Sequence, residues 1–149
     1  MLFRSETAFH PGADNASLVE WKRKNIENYL LVPDAWKRAA LRLAGWTDDN
    51  LFAHHVLQDI DAFFAAQNLT LPPGQTWRTV AANIFSVVDG KRLLFENDDS
   101  LFHRLRQGTP SVVAIREEIA LSMLPEEIHQ DVRDFIARLV ALVAGGRRT

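Results

Sequence analysis

Basic side chains clustered between residues 22 and 42 are the part of the sequence best suited to chemistry with an anionic partner. Only Glu20, Glu27 and Asp34 oppose them, so the region is locally positive although the formal net charge of the chain is -2. Aromatic residues are interleaved with the cations, and this combination is typical of proteins that contact phosphates and stack bases. The pattern predicts a nucleic-acid-binding surface formed by Lys22, Arg23, Lys24, Lys37, Arg38 and Arg42.

The same residues also have a structural interpretation, in which Trp36 belongs to the core and the cations form a solvated helix face. Charged helix faces are common. The chain also has no overall basic excess, so any contact with nucleic acid must come from a local patch. Both interpretations are open at the level of the sequence.

Patterns that bind metals or nucleotides are absent from the sequence. His55 and Asp59 are four residues apart and could offer two ligands, whereas a zinc site takes at least three from protein. No G-x-x-x-x-G-K-[ST] string occurs, which excludes a P-loop for nucleoside triphosphate. We therefore predict no metal site and no resident cofactor.

Capping residues and hydrophobic spacing divide the chain into helices that must position these side chains. Pro33 breaks one helix and opens the next, which is predicted over Pro33–Ala44 and ends at Gly45. Thr47 predicts the N-cap of the following helix, and Pro125 predicts the start of the last one. The sequence predicts a mainly α fold, a compact bundle of about five to seven helices with at most minor short strands.

Three further segments add to the predicted elements, besides a short helix expected over 91–95 and a segment over 101–106 that follows a polar connector. Ser17 predicts the N-cap of the first helix, Thr109 and Pro110 predict the start of the penultimate helix, and segment 76–88 fits either a helix or a short strand. The last helix is expected to bury an apolar face made of Ile128, Val132, Phe135, Ile136, Leu139, Leu142 and Val143.

A chain of 149 residues with 47% hydrophobic and 24% charged residues is typical of one globular domain. We expect an irregular lead over 1–16, a single helical domain over 17–146 and a frayed tail over 147–149. No apolar run approaches the roughly 20 residues that span a bilayer, and the N-terminus lacks the apolar core of a signal peptide. These observations predict a cytoplasmic protein without a membrane partner.

Three short strings occur in order along the chain: I-E-N-Y-L-L-V-P over 26–33, V-D-G-K-R-L-L over 88–94, and R-E-E-I-A with M-L-P-E-E-I between 116 and 128. They resemble the C-terminal region of OLD-family ATP-dependent endonucleases, from the end of their Toprim region onwards. From first to last, the three strings and the terminal helix cover most of the chain.

The resemblance implies candidate catalytic residues. In such nucleases, carboxylates hold divalent metals that activate water for phosphodiester hydrolysis. The resemblance would place Glu27 near that metal site and Lys91 where a cation could stabilise the transition state. The family's other carboxylates belong upstream of the first string, where this chain has too few residues to carry them. Mg²⁺ or Mn²⁺ is therefore expected only if a partner completes the site.

We accordingly expect a non-enzymatic helical domain that docks to a partner protein or to DNA through the basic segment 22–42. Two alternatives stay open. One is a metal-dependent nuclease component whose missing Toprim carboxylates come from a partner or a second protomer. The other is a truncated remnant without independent activity.

Overall fold

The structure is a computed structural model and describes residues 21–45, 50–105 and 112–146. Within these ranges the chain forms a compact, mainly α-helical bundle without β-strands, which confirms the predicted fold class. The predicted lead over 1–16 and tail over 147–149 lie outside the described residues. The six α-helices of the described part are α1 (Pro33–Ala44), α2 (Leu51–Ala66), α3 (Asn83–Val87), α4 (Leu101–Leu105), α5 (Val112–Leu121) and α6 (Gln130–Gly146).

Helix α1 has the bounds that the sequence predicts. Pro33 occupies its first turn, where a missing N–H group has no consequence. Gly45 ends it in the left-handed region with a φ of 67°, and its N–H group bonds to carbonyls of the last turn. Trp36 and Ala39 are buried on the inner face, so this helix lies at the centre of the core.

Helix α2 begins later than predicted, because Asn50 supplies its N-cap. The Asn50 side chain accepts hydrogen bonds from the N–H groups of Phe52 and Ala53. Thr47, the predicted cap, lies outside the described residues. Ile60 is fully buried, whereas Phe52 is 69% exposed because the first turn extends beyond the core.

Within the described residues, the predicted first helix is replaced by bends over 22–25 and one 3-10 turn, Ile26–Leu30. Asn25 has an extended backbone, with a φ of -142°, which is incompatible with a continuous helix. The predicted cap, Ser17, lies outside the described residues. Segment 76–88, which fitted either helix or strand, forms turns followed by the short helix α3.

The last helix begins at Gln130 and not at Pro125. Pro125–Glu127 forms a separate 3-10 turn, and the extended backbone of Ile128 interrupts the path between this turn and α6. Four side chains of its predicted buried face are instead 40–56% exposed: Ile136, Leu139, Leu142 and Val143. For the penultimate helix, the predicted start at Thr109 and Pro110 lies outside the described residues, and α5 is described from Val112 onwards.

The core lies where α1 meets α2 and α5, and where α4 packs against a π-helical turn, Arg92–Glu96. The Trp36 ring lies 5.5 Å from the Phe95 ring, and both side chains are at least 98% buried. Among the helices of the described residues, none is both long enough and apolar enough to cross a membrane.

Candidate nucleic-acid interface

The predicted basic surface separates into two groups, and the cations of α1 form the first group, in which each cation is paired with a carboxylate of a neighbouring element. The Lys37 ammonium lies 2.7 Å from an Asp61 oxygen on α2 and 3.5 Å from an Asp34 oxygen. Burial by itself lowers the pKa of Lys37, but the two carboxylates outweigh it and hold that pKa above its ordinary value. Lys37 therefore stays charged and ties α1 to α2.

Arg38 and Arg42 make comparable contacts on another side of α1. The Arg38 Nε atom donates to the Ser122 carbonyl at 2.7 Å, and its guanidinium forms an ion pair with the buried Glu127 carboxylate. Arg42 forms an ion pair with Glu118 and donates to the Ser122 hydroxyl. These contacts join α1 to α5 and to the 125–127 turn, so both guanidiniums are engaged within the protein.

Arg23 is directed inward and is only 5% exposed. Its guanidinium donates to the Asn28 carbonyl at 2.7 Å and lies 4.7 Å from the centre of the Tyr29 ring. Burial lowers the pKa of Arg23, an effect that Tyr29 and Asp131 oppose only in part. An arginine nevertheless stays protonated, so Arg23 keeps its positive charge although its side chain is buried.

The aromatic residues of the predicted surface belong to the core. Trp21, Tyr29 and Trp36 are 7%, 5% and 2% exposed. The Trp36 indole donates to the Leu30 carbonyl at 2.9 Å. Bases stack on exposed rings, and none of these three rings is available for that contact.

Lys22 and Lys24 form the outward-facing group, together with two cations from a distant part of the sequence. They line an open depression of about 920 Å³ with Lys91 and Arg92. Asp89 and Glu96 are the acidic residues of the same lining, and Arg23 contributes a fifth cation. The lining therefore carries an excess of three positive charges.

Asn25 joins the two chain segments that line this depression, 22–25 and 86–92. Its side-chain amide donates to the Asp89 carboxylate at 3.1 Å, and its oxygen accepts from the Lys91 N–H group at 3.1 Å. The neighbouring Lys24 N–H group donates to the Ser86 carbonyl at 2.7 Å. These side-chain and backbone hydrogen bonds hold segment 22–25 against segment 86–92.

Asn28 and Gly90 also make a close contact between these two parts of the chain. The Asn28 amide donates to the Val88 and Phe85 carbonyls at 2.7 and 3.0 Å and accepts from the Gly90 N–H group at 2.9 Å. A Cβ atom at position 90 would lie 2.3 Å from the Asn28 Oδ1 atom. Glycine is therefore required by this close approach.

The charges of the depression are incompletely neutralised. Burial by itself raises the pKa of Asp89, but the Arg92 N–H group, Asn25 and the charges of Lys24 and Arg92 together hold that pKa below its ordinary value. Asp89 is thus an anion, 3.7 Å from the Lys24 ammonium. Within the described part of the chain, no carboxylate forms an ion pair with the Lys91 ammonium or the Arg92 guanidinium.

Glu27 lies away from this depression. It is 7% exposed and its carboxylate is 3.3 Å from the Arg116 guanidinium on α5, whereas Lys91 is exposed on the depression. Among the described residues, no group of three or more His, Cys, Asp or Glu side chains could hold a metal ion. The catalytic roles that the resemblance implies for Glu27 and Lys91 stay predictions.

Arg92 is the one cation of the outward-facing group that sequence reasoning did not single out. Arg92 follows Lys91 directly after the Asp89-Gly90 turn, and these two adjacent cations are the sequence feature that could have identified it. Its convergence with Lys24 could not be read from the sequence, because the two residues are 68 positions apart and meet only in the folded chain.

The described residues define a mainly α-helical protein with an open cationic site on its surface. No family model, no curated protein and no solved structure matches the chain. The relationship to OLD-family endonucleases suggested by the three strings therefore stays a prediction.

Proposed function

We propose that this protein is a non-enzymatic binding domain that contacts the phosphate backbone of nucleic acid. Lys22, Lys24, Lys91 and Arg92 make the contact. The supporting observation is that these cations, from two distant segments, converge on one open depression in which Lys91 and Arg92 form no ion pair among the described residues. The cytoplasmic location predicted from the sequence is part of this proposal.

The shape and composition of the depression favour an extended polyanion. It is open to solvent and rimmed by long, flexible side chains, which suit successive phosphates better than one enclosed small anion. The Lys22 side chain is 80% exposed, with its ammonium 3.7 Å from the Asp131 carboxylate, and the Lys24 side chain is 40% exposed, so solvent reaches both.

The contact is to phosphates and not to bases. The three aromatic side chains of the region are buried, so the depression has no stacking surface from them. Binding through phosphates alone carries no direct sequence information and depends strongly on salt. We therefore expect comparable binding to duplexes of different sequence and no marked preference for single strands.

The test is fluorescence anisotropy of labelled DNA titrated with the purified chain, over salt concentrations from about 50 to about 200 mM. Four phosphate contacts predict a log–log salt slope of about -3.5 for duplex DNA. The variant Lys91→Gln with Arg92→Gln should bind more weakly and reduce that slope by about 2.

The matched control is Arg104→Gln with Arg138→Gln, which removes the same charge from two exposed positions outside the depression. It should leave the slope close to that of the unmodified chain. Equal slopes for the two variants, or no binding at low salt, would contradict the proposal. Substitution at Lys37 or Arg38 is unsuitable here, since their ion pairs hold α1 in place.

A further inference from the structure

Asp89 places a negative charge at a fixed position inside the cationic depression. Its Oδ1 atom accepts hydrogen bonds from the Asn25 side-chain amide at 3.1 Å and from the Arg92 N–H group at 3.2 Å. Its Oδ2 atom lies 3.7 Å from the Lys24 ammonium. One oxygen therefore holds the carboxylate in place, while the other is paired with a cation that the proposed phosphate contact requires.

The Asp89 carboxylate and a nucleic-acid phosphate are chemically alike in their contact with a lysine. An aspartate is ionised at neutral pH, and the lowered pKa of Asp89 keeps it so. Both groups are oxyanions, and an ammonium group forms a charge-assisted hydrogen bond with either one. Lys24 must therefore weaken its contact with Asp89 when it moves to a phosphate, and the carboxylate then stays behind in the depression without its partner.

The other carboxylates near the depression differ from Asp89 in this respect. Asp131, the partner of Lys22, lies outside the lining and accepts a hydrogen bond from the Tyr29 hydroxyl at 2.7 Å, so it keeps a partner when Lys22 moves away. Glu96 belongs to the lining but forms no ion pair among the described residues. Asp89 is thus the carboxylate of the lining that already occupies a cation of the site.

We propose that Asp89 is a built-in competitor of the nucleic-acid phosphates, which occupies Lys24 in the free protein and limits the affinity of the depression. This inference rests on the proposed function, because it concerns the regulation of the same depression. Lys91 and Arg92 can bind phosphates without such an exchange, whereas Lys24 exchanges one oxyanion for another. The exchange favours a polyanion over a single free anion, because the next phosphate is already nearby once the first contacts have formed.

The experiment compares the affinities of uncharged Asp89 variants for labelled duplex DNA, by fluorescence anisotropy at one salt concentration. Asp89→Asn keeps a side-chain oxygen that can accept the same two hydrogen bonds, and it removes the charge that faces Lys24. We expect this variant to bind DNA about threefold or more tightly than the unmodified chain. Asp89→Ser also keeps an oxygen acceptor and should likewise bind more tightly. Thermal unfolding followed by circular dichroism establishes that both variants are folded.

Two comparisons separate this competition from a general effect of charge. Asp59→Asn removes the same charge from an exposed position on α2, outside the depression, and its affinity should stay within about 1.5-fold of the unmodified chain. The second comparison introduces Asp89→Asn into a chain that already carries Lys24→Gln. The gain in affinity should then be at most about 1.5-fold, because the cation for which the carboxylate competes is gone.

Equal affinities of Asp89→Asn and the unmodified chain would overturn this inference and leave the proposed function standing. Equal gains with and without Lys24 would overturn it as well, because the carboxylate would then act through the general field of the depression. If neither the unmodified chain nor the two Asp89 variants bound DNA at low salt, the proposed function and this inference would both be overturned.

Discussion

The Asn28 side chain joins the Ile26–Leu30 turn to the segment that carries Lys91 and Arg92. It is fully buried, and its amide satisfies the backbone groups of Phe85, Val88 and Gly90. Buried backbone groups that lose their partner destabilise a protein by about 1–3 kcal/mol each. One residue therefore supports both the stability of the fold and the shape of the cationic depression.

We expect Asn28→Ala to lower the free energy of unfolding by about 3 kcal/mol or more, because three backbone groups lose their partner. Urea denaturation followed by circular dichroism measures this change. Asn97→Ala is the control, since Asn97 is exposed, and its effect should stay within about 0.5 kcal/mol. Similar midpoints for the two variants would show that the amide contacts contribute little.

Substitution of Glu27 can distinguish a structural role of this residue from the catalytic role that the resemblance implies. Its carboxylate faces the Arg116 guanidinium, which also lies 4.9 Å from the centre of the Phe95 ring. Glu27→Gln leaves that guanidinium without its carboxylate. We expect the free energy of unfolding to fall by about 1–3 kcal/mol, less than for a completely buried pair because Arg116 is partly exposed.

The control for Glu27→Gln is Glu117→Gln, which removes an exposed carboxylate from α5. Its effect on urea denaturation should be within about 0.5 kcal/mol. Unchanged stability of Glu27→Gln, combined with loss of a manganese-dependent DNA cleavage by the unmodified chain, would instead support the nuclease alternative.

At the scale of elements, the start of α6 depends on a histidine that must stay neutral. The His129 Nδ1 atom accepts from the Asp131 N–H group at 3.0 Å, so its Nε2 atom carries the proton and donates to the Val80 carbonyl at 3.0 Å. Burial lowers the pKa of His129, as do the Arg23 and Lys22 charges, against the opposing effects of Val80 and Asp131. A second proton on the ring would displace the Asp131 N–H bond that caps the helix.

This arrangement predicts a loss of stability in mild acid. The unfolded chain binds a proton at His129 near pH 6.5, whereas the folded chain resists that proton until lower pH. The free energy of unfolding should therefore fall as the pH decreases below about 6.5, by up to about 1 kcal/mol between pH 7 and pH 5 after allowance for solvent screening. Urea midpoints measured across this pH range test the prediction.

The matched variant is His129→Asn, because asparagine can still cap α6 but does not titrate. It should flatten the pH dependence of the midpoint, whereas His54→Asn, at an exposed position on α2, should leave that dependence unchanged. An identical pH dependence in all three proteins would exclude His129 as the responsible group.

At the scale of the whole molecule, the basic residues are divided by the packing of the helices. Lys37, Arg38 and Arg42 join α1 to its neighbours, while Lys22 and Lys24 meet Lys91 and Arg92 at the surface. The proposed nucleic-acid contact uses this surface.

The sequence alone determined the helical class and several element boundaries, because these depend on local backbone chemistry. The proline at position 33 and the glycine at position 45 set both ends of α1. Local signals were insufficient where hydrogen bonds join segments that are far apart in the sequence. The bends over 22–25 and the late start of α6 at Gln130 are accompanied by such long-range bonds, from Asn25 to Asp89, from Lys24 to Ser86 and from Gln130 to Arg78.

The candidate site was only partly accessible from the sequence. The positive character of segment 22–42 is a local property of its composition. The carboxylates of Asp61, Glu118 and Glu127 decide which of these cations are engaged in ion pairs. The side chains of Asn25 and Asn28 bind segment 86–92 and so bring it next to this segment. Tertiary structure alone decided these points, because ion pairing and burial depend on residues far apart in sequence.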